Sequence, residues 1–247
     1  MKKIILSVAM IAAVAAVAIG ATTAYFSDTE TSTGNTFTAG ALDLTIDSQA
    51  TYNGQTANYG NWSLKDLGQG DLFFSLGDVK PGDKGEDTVS LHVNNNDACG
   101  FAKITKNVDS DVSCTEPELA EEPACTPTGD GELDENTIFT IWSDMGKSND
   151  TVECANVRPG DNVYSPNCGD VQLTTGTLDA VENWGLGKLT GGSTTYYGIA
   201  WEVPGTVTNN VQTDKFGADI EFSIQQFRNQ YNSDKPCPVG NIVAVAP

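Results

Sequence analysis

Histidine is what this sequence has least of: His92 is the only one in 247 residues. A His-Glu-x-x-His zinc site is therefore excluded, and a Ser-His-Asp triad would have to be built on that single ring. His92 lies in a stretch where Val89, Leu91 and Val93 alternate with Ser90, His92 and Asn94, which puts it on the solvated side of a strand. Neither a Gly-rich phosphate loop nor a Gly-x-Ser-x-Gly elbow occurs. Basic residues are also scarce, 13 Lys and Arg against 33 Asp and Glu, for a net charge of −20. Such a surface repels nucleic acid and anionic lipid, so neither is expected as a partner. No Cys-x-x-Cys pair offers zinc thiolate ligands. With nothing here that makes an active site, the chain is expected not to be an enzyme.

What is present begins with an export signal. Lys2 and Lys3 precede Ile4–Ala21, which carry no charge, and Thr22-Thr23-Ala24 supply small residues for a signal peptidase. Residues 1–24 are thus expected to be removed by cleavage between Ala24 and Tyr25. An uncleaved anchor is the alternative, because the apolar run approaches the length that spans a bilayer. The expected destination is secreted, in extracellular matrix or at the cell surface, with membrane contact only through the signal before cleavage. All six cysteines (Cys99, Cys114, Cys125, Cys154, Cys168 and Cys237) follow the leader, and an even count in an exported chain favours disulfides. Fifteen pairings are open. The simplest closes Cys114–Cys125 and Cys154–Cys168 as local loops and leaves Cys99–Cys237 to tie down the tail. Asn61 and Asn149 open Asn-x-Ser/Thr sequons and are candidate glycosylation sites.

The body of the chain reads as short strands. Leu42, Leu44 and Ile46 alternate with Asp43, Thr45 and Asp47, and Val89 to Asn94 give a second strand. Residues 48–71, rich in Gly, Asn and Gln, read as a long surface excursion. Lys80-Pro81-Gly82-Asp83 has type II turn chemistry, and Arg158-Pro159-Gly160-Asp161 repeats it. Ile138–Trp142 is a compact apolar strand. Leu178–Leu186 is expected to form a short helix. Tyr197, Ile199, Trp201 and Val203 share one strand face, as do Phe216, Ala218, Ile220, Phe222 and Ile224 on another. Outside the leader no long segment carries apolar residues at helical spacing.

The expected fold is therefore all-β, a jelly-roll-like antiparallel β-sandwich over residues 36–247, burying Trp142, Trp201 and Phe222 between its sheets. An acidic, proline-stiffened, cysteine-bearing insertion interrupts it at about 107–137. Within that insertion Asp130, Glu132, Asp134 and Glu135 form the one candidate for an ion. Calcium takes hard oxygen ligands, and Asp130, Glu132 and Asp134 sit at alternate positions, though without an EF-hand loop. No other cofactor is expected.

Thr23-Ala24-Tyr25-Phe26-Ser27-Asp28, followed by Phe37-Thr38-Ala39-Gly40-Ala41-Leu42-Asp43-Leu44, resembles the TasA/camelysin family. The resemblance continues at Leu76–Asp83 and returns at Asn209–Asp214 and Ile220–Gln226. It implies a jelly-roll subunit of biofilm-matrix fibres, related to archaeal bundling pili, in which the N-terminal strand of one subunit completes the sandwich of the next. Carried over, the donor would be about Tyr25 to Asn35, with Tyr25 and Phe26 as anchors. Thr29, Thr31 and Thr33 are its β-branched alternate positions. The implied partner is another copy of the chain, head to tail. Some family members carry a metallopeptidase label, to which a single histidine gives no support. Two rival functions remain: a monomeric, membrane-anchored surface-binding domain and a secreted metal-dependent hydrolase.

Overall fold

Period-two alternation does most of the folding. A computed structural model describes residues 42–146, 151–228 and 230–242, and within them the strands form two antiparallel sheets. The larger sheet contains β1 (Asp43–Tyr52), β2 (Gln55–Thr56), β3 (Trp62–Lys65), β4 (Lys84–Asn94), β6 (Ile138–Asp144), β7 (Val171–Gly176) and β9 (Ser193–Glu202). Its order is β2-β1-β4-β9-β6-β7, with β3 also against β1. The smaller sheet contains β5 (Ala98–Asp111), β8 (Asn183–Leu189), β10 (Asp214–Gln226) and β11 (Val239–Asn241), in the order β10-β5-β8-β11.

The core lies between the sheets. Val89, Leu91 and Val93 on β4 meet Tyr197, Ile199 and Trp201 on β9 and Trp184, Leu186 and Leu189 on β8. The Tyr197 hydroxyl donates to the Leu186 carbonyl at 2.7 Å, joining the two sheets through a buried hydrogen bond. Trp142 departs from expectation. Phe139 and Ile141 take the inward positions of β6, so Trp142 faces the outer side of the larger sheet. It is buried there over Gly198, its cross-strand partner, whose missing side chain makes room: a Cβ would come within 2.0 Å of the indole. Phe222 is only half-buried, for a reason taken up below.

Two disulfide loops decorate this frame. Cys154–Cys168 closes one and Cys114–Cys125 the other, while Cys99–Cys237 ties the C-terminal segment to β5. The 154–168 loop lies on the outer face of the larger sheet. There Tyr164 packs on Trp142 with ring centroids 5.2 Å apart, and Gly160 donates its N–H to Asp144 at 2.9 Å. Both Pro-Gly turns form. Each places its Gly at positive φ and closes in the same way, with Lys80 N–H donating to Asp83 at 2.9 Å and Arg158 N–H to Asp161 at 3.0 Å.

Three local expectations change. The 48–71 excursion is shorter than read, because β1 continues to Tyr52 and β3 returns alongside it. Leu178–Val181 makes one 3-10 turn, and the chain then becomes β8 at Asn183. The insertion starts only after Asp111 and holds α1 (Glu116–Glu121) and α2 (Leu133–Asn136). α1 is set by a capping box: Thr115 N–H donates to the Glu118 carboxylate at 2.8 Å, and the Thr115 hydroxyl accepts from Glu118 N–H.

Candidate functional site

Among the described residues the sandwich is open along one side. β10 pairs only with β5, so its other edge presents backbone groups without a strand partner among the described residues. Across from it, β1 is flanked on its far side by β3 from Ile46 onward, while Asp43–Thr45 have no described neighbour there. Between these edges runs a groove of about 440 Å³, walled by Leu42, Leu44 and Ile46 on one side and Ile220, Phe222 and Ile224 on the other, with Leu67 beside them. The inward side chains of β10 are consequently half-covered, whereas those of central β4 are no more than 2% exposed. An apolar strand face left half-wet at a sandwich edge lacks a neighbour on that side. Asp43, Asp66 and Glu221 line the same groove and make it acidic.

The expected donor residues (Tyr25, Phe26, Thr29, Thr31 and Thr33), the Ala24/Tyr25 cleavage edge and Asn149 lie outside the described residues. Asn61 lies within them and uses its amide locally: its oxygen accepts from Ala50 N–H at 3.0 Å and its NH2 donates to Ala57 O at 2.8 Å.

His92 is not solvated as expected. Its Nε2 lies 2.8 Å from Asp47 and its Nδ1 3.0 Å from the Thr194 hydroxyl, and the ring is half-buried. Ser90 donates to the other oxygen of Asp47 at 2.6 Å. The three residues have triad composition but not triad geometry, because both serine and histidine bind the aspartate and not each other.

The calcium candidates separate. Asp134 pairs with Lys106 at 2.9 Å, and Lys106 also binds Asp109 at 2.6 Å, so an ammonium already occupies that position. Asp130 is exposed, and neighbouring Asp109 pushes its pKa up. Glu135 is exposed as well. Only Glu132 joins a larger carboxylate group, formed with residues that sequence reasoning did not single out for it. Asp111 at the end of β5 and Asp214 at the start of β10 are cross-strand partners. Glu118 on α1, Glu122 at its C-terminus and Glu132 beside α2 complete the group. The ligand oxygens of Asp111, Glu118 and Asp214 lie within 4.8 Å of one another, as do those of Asp111, Glu122 and Glu132. Burial, with Glu122 adding its share, pushes Glu132 up to about 8, and burial pushes Asp214 up to about 7. Cys114 and Cys125 are near Asp111 but are committed to their disulfide.

An open antiparallel sandwich with an acidic, apolar-walled edge defines the class. Over residues 1–118, just under half its length, the chain matches the family described as camelysin metallo-endopeptidase, which bears out the resemblance to the TasA/camelysin family over this part. The match ends inside α1, so it does not reach the resemblance read at 209–226. It puts the chain among secreted, matrix-related proteins, whose family members are extracellular or at the cell surface. No curated protein matches the chain.

The match also corrects the expectation that the chain is not an enzyme, because the matching family is described as a metallo-endopeptidase. A zinc centre with several histidines does not fit a chain whose one imidazole is bound to Asp47 and Thr194. The carboxylates around Asp111 fit a hard cation instead.

Proposed function

We propose that this chain is a subunit of extracellular fibres, and that the segment from Tyr25 to Asn35 of one copy enters the open edge of the next. The groove between β1 and β10 carries the reading. A strand added to β10 would use its free edge hydrogen-bonding groups, and alternate side chains would cover Ile220, Phe222 and Ile224. The donor is joined to the start of β1, at one wall of the groove, so each subunit carries both a donor and an acceptor. The contact is heterologous and does not close, so it grows as a filament. Removing the leader would free the donor, which makes export and assembly successive steps.

The test is deletion of Tyr25–Gly34 from the mature chain. The expected product is a folded monomer with an unchanged far-UV spectrum and no filaments by electron microscopy. Filaments formed by the deletion variant would overturn the reading.

The description of the family supports a second reading, metal-dependent endopeptidase activity. Its test is chelator-sensitive cleavage of casein by the purified chain; cleavage that EDTA leaves untouched, or none at all, counts against it.

A further inference from the structure

We infer that the carboxylates around Asp111 form a calcium site that fastens the cysteine-bearing insertion to the ends of β5 and β10. Five acids from four places in the chain converge here, and none is paired with a lysine or arginine among the described residues. Asp111 is 2% exposed and Glu118 is fully buried. Each has one buried carboxylate oxygen without a hydrogen-bond partner, Oδ1 of Asp111 and Oε1 of Glu118, and both residues offer an oxygen to the cluster. Glu122 Oε2, Glu132 Oε2 and Asp214 Oδ1 are buried as well and have no partner but another carboxyl group, Glu132 facing Glu122 and Asp214 facing Asp111.

Orphaned, buried oxygens distinguish this group from an ordinary acidic surface. A buried carboxylate oxygen with no donor loses its solvation and receives nothing in return, so such groups point to a missing partner. The second oxygens of two of these residues are held by backbone donors. Glu118 Oε2 is held by Thr115 N–H in the capping box, and Asp214 Oδ2 accepts from Glu132 N–H at 2.7 Å. Gly129 leaves space beside the site, since a Cβ there would lie 2.7 Å from Asp111 Oδ2.

Spacing and donor type together favour calcium. Oxygens bound to one calcium at about 2.3–2.6 Å can stand up to roughly 5 Å apart, which spans the observed separations. Magnesium, at about 2.0–2.1 Å, demands a stricter octahedron and usually keeps several waters, which fits an all-carboxylate protein site less well. All donors are hard oxygens, which disfavours zinc and copper. Asp111 belongs to both triads and is the centre of the site. Binding would tie α1, α2 and the two strand ends together through one charge, beside the Cys114–Cys125 disulfide.

The experiment measures thermal unfolding of the purified full-length chain in EDTA, in calcium and in magnesium at matched ionic strength, with calorimetric titration of calcium. Calcium at about a hundredfold excess over its dissociation constant is expected to raise Tm by about 5 °C or more, and magnesium by less. Glu118→Gln keeps the capping box, because glutamine serves at that position, but removes the charge. This variant is expected to lose the calcium response while remaining at least as stable as wild type in EDTA. Asp130→Asn, outside the cluster, is expected to keep the full response. The proposal is overturned if calcium leaves the wild-type Tm unchanged, or if Glu118→Gln responds as wild type does, which would assign the effect to the acidic surface at large.

Discussion

Asp87 and Glu86 are two acids that burial leaves in an unusual state. Asp87 points inward from β4, completely buried, with Ser48 3.3 Å away and its second oxygen unpartnered. Burial, with Glu86 next to it, pushes its pKa up to about 9. Glu86, on the other face, is pushed up to about 8 by burial, with Asp144 and Asp161 adding to it, while Thr88 opposes at 2.9 Å. Folded-state values above the unfolded ones, which lie near 4, mean that the native protein holds the extra protons. Their contribution to stability is full below about pH 4 and is lost as pH rises through about 8 to 9. Tm in EDTA should therefore fall between pH 5 and pH 9. Asp87→Asn should flatten part of that slope and raise Tm at pH 9 with little change at pH 5. A wild-type Tm that climbs over this range would contradict the assignment. None of this was legible beforehand, because Asp87 reads as one more polar residue in a sequence rich in acids. Its burial depends on where Gly60 and Tyr59 return over β1 and β4.

At the scale of elements, sequence pattern was most informative where one face of a strand is wet. β1, β4, β9 and β10 were all visible in their alternation, and both Pro-Gly turns formed where their chemistry indicated. The misreadings come from tertiary context. β8 runs Trp184-Gly185-Leu186-Gly187, buried on both faces, so alternation is lost and the stretch from Leu178 resembles a helix. Trp142 was assigned to the wrong side because the 154–168 loop covers the outer face of its sheet and makes that face apolar too. α1 did carry a local signal, Thr115 with Glu118 three residues on, but Pro117 within it, Pro123 just beyond it and the acidic composition favoured a loop reading. The disulfides differ in what they constrain. Cys99–Cys237 spans a separation of 138 residues and Cys114–Cys125 one of 11. By loop-closure entropy, replacing both cysteines of the long pair with alanine should cost about 5 kcal/mol, and of the short pair about 3. Chemical denaturation of the two double variants checks the order; a larger loss from the short pair would show that native contacts in the insertion outweigh chain entropy.

For the whole molecule, the sandwich class could be read from strand spacing, whereas the carboxylate cluster could not. Asp111 and Asp214 are separated by about half of the domain's sequence and meet only because β5 and β10 pair in register. The open edge occupies a middle position. Leu42, Leu44, Ile220, Phe222 and Ile224 were all recognised as inward-facing, but only the strand order reveals that β1 and β10 end up bordering the same groove. That juxtaposition turns a resemblance to fibre subunits into a physical account of how one copy could hold the next.

The account's central claim is that donor and acceptor are separable halves of one contact, and complementation between two crippled chains tests it most directly. One chain keeps its N-terminal segment but carries Ile220→Lys and Ile224→Lys in the groove; the other lacks Tyr25–Gly34 and keeps the groove. Each should be a folded monomer alone. Mixed in equal amounts, they should form a one-to-one dimer by light scattering and stop there, because the dimer has no free donor with a usable acceptor. Fibres from either chain alone, or no complex from the mixture, would contradict strand donation.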